Sequence, residues 1–133
     1  IQVQFQNISP YAYTPYYEKV FDLSKITSPT FIEFENFGDD VVKPDLWIYK
    51  VGKGDISIVN YSDGGREFKF TNIEDKETLY IDNELHHIET DIPLTYRFDN
   101  FNNNYLELRR GVSRLRVTGT CQLKFVYRHT IKG

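Results

Sequence analysis

Cysteine, methionine and positive charge are what this 133-residue sequence is poor in. Cys121 is the only cysteine, which excludes an internal disulfide and a thiolate metal cluster. Its setting in the alternating run GTCQLKFVY predicts a buried, inert thiol. Lys and Arg number 16 against 19 Asp and Glu, a net charge of −3, so the basic footprint that nucleic-acid phosphates require is missing. No segment approaches the ~20 apolar residues of a membrane-spanning helix. Methionine is missing even from position 1, and the front has no basic-then-apolar leader pattern. The sequence is therefore expected to be an excised or processed piece of a longer protein.

What is abundant is aromatic: ten Tyr, ten Phe and one Trp, 16% of the chain. Such side chains suit a pleated, half-buried surface, and the helix formers Ala and Leu are sparse. The length fits one domain. Period-two alternation recurs from VQFQN through TFIEFENF, DISIVNY, REFKFT, NYLELRRG and SRLRVTG to CQLKFVYR. Turn chemistry separates the runs at NFGDD, VGKGD, SDGG, IEDKE, IDNE and RRG. Many short strands at this spacing predict an all-β fold, an antiparallel β-sandwich, jelly roll or barrel. Only PYYEKVFDL (15–23) has helical spacing, through Tyr16, Val20 and Leu23, and a strand after Pro15 fits it equally. The Tyr- and Pro-rich residues 1–29 read as a linker or as an N-terminal segment packing on the sandwich, and residues 30–133 as the β-sandwich domain.

LYIDNELHHIETD (79–91) contains the adjacent pair His86-His87 with Asp82, Glu84 and Glu89 nearby. Asp82-Asn83 supplies turn chemistry between two apolar runs, which makes the stretch a hairpin. On a return strand the two histidines would point to opposite faces and could not share one metal ion. No metal site is expected. Ser28, Ser57, Ser62 and Ser113 lack a G-x-S-x-G setting, and solvated carboxylates are the ordinary outcome in an acidic chain, so no catalytic residues are assigned. VGKGD lacks a following helix to hold a phosphate and reads as a hairpin loop, so no cofactor is expected.

DLWIYKV sets Trp47 and Tyr49 on one face and Leu46 and Ile48 on the other. A strand apolar on both sides is central or covered, and the early Tyr-rich segment is the leading candidate for the cover. The functional alternative is a stacking platform for sugar. Trp47, Tyr49, Tyr11 and Tyr13 are accordingly the candidate contacts for a glycan or a protein partner.

The segments LYIDNELHHIE and FDNFNNNYLELRRGVSRLRVTGTCQLKFVYR resemble the C-terminal domain of the distal tail protein family (Dit) of long-tailed bacteriophages and prophages. Leu79, Ile81, Asp82 and Ile88 match its hairpin. Leu108, Gly111, Val112, Leu115, Val117 and Gly119 match the next motif, and Phe125, Tyr127 and Arg128 the terminal strand. Asn36, Gly38, Asp39 and Pro44 fit the family's upstream segment, and Ser113 departs from its usual Asn. The resemblance implies a galectin-like or carbohydrate-module-like sandwich attached to a ring-forming domain that is absent here. It implies a non-enzymatic structural component of the virion tail tip, made in the host cytoplasm and assembled with other phage tail proteins. The full-length protein would be a hexamer and the isolated domain a monomer. A module recognising host cell-wall glycan is the alternative, and neither nucleic acid nor membrane is an expected partner.

Overall fold

The computed structural model describes residues 11–132 apart from 14 and 27, with side chains from 15 to 129 apart from 27. The alternating stretch VQFQN lies outside the described residues. Among those described, the strands in chain order are β1 (Tyr11–Tyr13), β2 (Tyr17–Asp22), β3 (Thr30–Asn36), β4 (Asp45–Lys50), β5 (Gly54–Asn60), β6 (Arg66–Ile73), β7 (Thr78–Asp82), β8 (His87–Thr90), β9 (Gly111–Thr118), β10 (Cys121–Tyr127) and β11 (Thr130–Lys132). Among the described residues helix is limited to two short 3₁₀ turns, Tyr61–Asp63 and Phe98–Asn100.

Alternation is what makes these segments strands. In β3 the side chains of Ile32, Phe34 and Asn36 are buried while Phe31, Glu33 and Glu35 face water. The strands form a five-stranded sheet in the order β2-β10-β4-β7-β8, a four-stranded sheet in the order β3-β9-β5-β6, and a β1-β11 ribbon. All pairings are antiparallel. Successive strands from β2 to β5 alternate between the two large sheets; β6 stays beside β5; β7 crosses back; β9 and β10 cross again. This winding is a jelly roll, with β8 appended at one edge.

Of the two readings open for PYYEKVFDL, the strand is the one formed: it is β2, an edge strand beside β10. Two local expectations change. VGKGD is no hairpin loop, because β4 and β5 belong to different sheets and the loop carries the chain between them. NYLELRRG forms no strand before Gly111 opens β9, and pairs there only at the bridge between Val42 and Leu108. Buried asparagine amides hold this strap instead. Asn83 Oδ1 accepts from the Leu106 amide at 2.8 Å, Asn60 Nδ2 donates to the Glu107 carbonyl at 2.9 Å, and Asn36 Nδ2 to the Leu108 carbonyl at 3.1 Å.

The core lies between the sheets. Leu46, Ile48, Leu79, Ile81, Leu123 and Phe125 of one sheet meet Ile56, Ile58, Phe68, Phe70, Leu115 and Val117 of the other, all buried. Each such side chain contributes roughly 1.5–3 kcal/mol. Phe34 packs edge-on to Phe125 with ring centres 4.7 Å apart. The β9–β10 crossing requires Gly119, whose φ is +122° and where a Cβ would sit 2.7 Å from the Asp55 carbonyl oxygen. Beside β7, the buried Glu77 takes two hydrogen bonds from Arg97, both 2.8 Å, and one from Thr90 Oγ1, fixing the loop after β8 to the sheet.

Candidate functional site on the five-stranded sheet

The outer face of the five-stranded sheet is ordered by register. Antiparallel pairing places Val20, Lys124, Trp47, Tyr80 and Glu89 in one row across β2, β10, β4, β7 and β8. Asp22, Gln122, Tyr49 and Thr78 form the row on one side, and Glu18, Val126, Asp45, Asp82 and His87 the row on the other. Adjacent rows alternate with the core-facing residues beneath them, so the sheet is a rigid floor for whatever the outward side chains present.

At the centre, the rings of Trp47 and Tyr80 lie 4.8 Å apart and 35° from parallel, so the two rings lean face to face and Tyr80 braces Trp47 from the β7 side. Lys124 Nζ reaches over the Trp47 ring at 5.2 Å and pairs with Glu18 at 3.5 Å. A groove of about 220 Å³ runs over this floor, lined by Val20, Trp47, Tyr49, Thr78, Gln122 and Lys124. Val20 is 63% and Tyr49 36% exposed, so among the described residues nothing covers the groove. The described part of the early segment joins the sheet at its edge through β2, where backbone pairing with β10 is available, and the rest of the expected cover over Trp47 lies outside the residues whose side chains are described.

Tyr80 is the residue that sequence reading missed. Its hydroxyl donates to Asp45 Oδ1 at 3.2 Å, and burial, followed by the nearby Asp45 and Asp82 charges, pushes its pKa up to about 12. It stays a protonated donor. Burial likewise raises the Asp45 carboxyl, against the Tyr80 hydrogen bond and with the Asp82 and Glu84 charges. Beyond Asp45 a polar cleft of about 310 Å³ opens among Tyr16, Lys43, Asp82, Glu84 and Arg128, with the Arg128 guanidinium 4.9 Å over the Tyr16 ring.

The two histidines have separate surroundings. His87 lies on β8 with Nε2 2.9 Å from the Glu89 carboxylate, both exposed. His86 is in the turn before β8, with φ +56°, and stacks on Tyr105 at 4.1 Å with the rings 2° from parallel. The expected opposition of the pair on one strand is therefore replaced by a turn residue and a strand residue. Among the described residues no group of three or more His, Cys, Asp or Glu is placed to hold a metal ion. Cys121 is fully buried, and that burial pushes its thiol up to about 11. Trp47 and Tyr49 come together on the open face. Tyr11 and Tyr13 lie in β1, and their side chains fall outside the described residues. Aromatic side chains on a rigid sheet with a polar fringe can bind by apolar contact and hydrogen bonding.

Comparison with known proteins bears on the whole jelly roll. The family described as "Phage tail C-terminal domain" matches residues 11–127. The chain is also similar to the SPbeta prophage-derived uncharacterized protein YomH of Bacillus subtilis (strain 168), 33% identical over 98 residues. That match covers 74% of this chain and 39% of the relative, so the chain spans about two fifths of that protein's length. No solved structure matches the chain.

Proposed function

The chain belongs to the phage tail C-terminal domain family, and from that premise we propose that it is the peripheral sandwich of a distal tail protein at the virion tail tip. Its role there is structural: it joins neighbouring tail proteins and contacts the adsorption apparatus, with no reaction of its own. The observation that carries this is the family match over residues 11–127, which takes in the complete jelly roll. Residues 1–29 are read as the linker or N-terminal segment leading in from the rest of the protein, with β2 already a strand of the sandwich. The protein is made in the host cytoplasm; the full-length form is a hexamer and the isolated domain a monomer. Electron microscopy of phage particles decorated with a gold-labelled antibody to this domain tests the location. Gold at the distal end of the tail is expected, and gold along the tube or on the capsid would refute it.

A second reading, recognition of host cell-wall glycan, is favoured by one specific observation: the Trp47 and Tyr49 rings line a groove on the sheet face. Retention of the domain on purified cell walls, lost on Trp47→Ala, is the expected result.

A further inference from the structure

We propose that the five-stranded face selects an uncharged saccharide chain and rejects anionic, phosphate-bearing wall polymers. The proposal rests on the carbohydrate reading above and adds the chemical class of the ligand. Three observations carry it.

The first is the charge of the fringe. The outward positions of the five strands hold the carboxylates Glu18, Asp22, Asp45, Asp82 and Glu89 against the single ammonium of Lys124. Lys124 is itself engaged by Glu18 and the Trp47 ring. Lys43 and Arg128 stand in the cleft beyond Asp45, so over the groove itself a polymer carrying a phosphate in each repeat would meet a net negative field, within the ~8 Å over which physiological salt leaves charges interacting. The second is the floor. Trp47 and Tyr49 line the groove with apolar ring surface against which the C–H groups of a pyranose can pack, and such contact needs no charge on the ligand. The third is the set of polar groups beside the rings. Gln122 and Thr78 can both donate to and accept from hydroxyls, and the carboxylates accept only, a combination that suits neutral hydroxyl groups and offers little to a phosphate.

The single tryptophan of the chain is part of the site, so its fluorescence reports occupancy directly. The experiment titrates the domain with neutral tetrasaccharides of glucose, galactose, rhamnose and N-acetylglucosamine, and with a poly(ribitol phosphate) teichoic acid, at 50 and 500 mM NaCl. Expected is a change in Trp47 emission with at least one neutral tetrasaccharide, with an affinity that moves less than about twofold between the two salts, and no response to the teichoic acid at either. Tyr49→Ala keeps the reporter and should weaken binding about tenfold or more. Binding of the teichoic acid alone overturns the selectivity while the carbohydrate reading stands; silence with every saccharide, checked by calorimetry, overturns both. Neutral binding unaffected by Tyr49→Ala and by Trp47→Phe would move the site elsewhere and overturn the proposal equally.

Discussion

The two outer faces of the sandwich are written in the same period-two alphabet yet differ in where their rings stand. On the four-stranded sheet, Phe31 of edge strand β3 stacks on Tyr61 at 6.0 Å under the Arg114 guanidinium, 4.3 Å above its ring. The surrounding residues mix both signs, with Glu33, Glu35 and Glu67 among Arg114, Arg116 and Lys69. On the five-stranded sheet, Trp47 and Tyr80 stand on the interior strands β4 and β7. Rings at an edge shield the unpaired side of a sheet; rings in the interior are carried on a floor fixed from both sides. Alternation decides what faces out, and strand order decides what that exposure can do.

The comparison assumes one rigid body beneath both faces, and its sharpest test is to break that body. Glu77→Ala leaves the Arg97 guanidinium, 11% exposed, without its carboxylate and should cost about 3–5 kcal/mol in urea unfolding. Leu115→Ala from the four-stranded sheet and Leu79→Ala from the five-stranded one should each cost about 2–5 kcal/mol, since both are fully buried in the shared core. Equal losses support one core serving two faces, whereas a loss confined to one variant would separate the sheets.

Acid should act next. Burial would raise the Glu77 carboxyl, but the hydrogen bonds from Arg97, Thr90 and the backbone outweigh it and hold it below the usual range. Its stabilisation is present above the ordinary value of 4.5 and is lost as the pH falls through the lower folded value. His129, buried among Tyr17, Phe37 and Tyr127, is held below 6.5 by desolvation. The folded state keeps it neutral, so stability declines as the pH falls below 6.5 toward the folded value. Thermal midpoints between pH 3 and 8 should fall in two steps, the upper one flattened by His129→Gln and the lower one by Glu77→Gln. The smallest effects belong to the faces themselves: Trp47→Ala and Phe31→Ala should each change stability by about 1 kcal/mol or less. A Trp47→Ala cost as large as that of Leu115→Ala would make Trp47 part of the core and end the comparison.

The strands were legible because alternation is local: β3, β5, β6, β9 and β10 follow directly from runs such as TFIEFENF and CQLKFVYR. Sheet membership was not, because turn residues say that the chain bends and leave open which sheet it enters. VGKGD therefore looked like a hairpin although it joins two layers. NYLELRRG had the right period, but its backbone partners are the side chains of Asn36, Asn60 and Asn83, distant in sequence. Trp47 and Tyr49 were visible as aromatics on one face. Tyr80 looked like an ordinary surface residue, since its place beside Trp47 depends on the register between β4 and β7. The available signal was the shared pattern of DLWIYK and TLYID, two apolar-floored strands whose outward rings coincide when paired antiparallel.

The β1-β11 ribbon has a mechanical consequence. Tyr11 pairs with Lys132 at one end and Tyr13 with Thr130 at the other, so the first and last described strands run side by side and antiparallel. A pull that separates Tyr11 from Lys132 would load the pairs one after another, like a zip fastener, and the pair between Tyr13 and Thr130 would be the last to part.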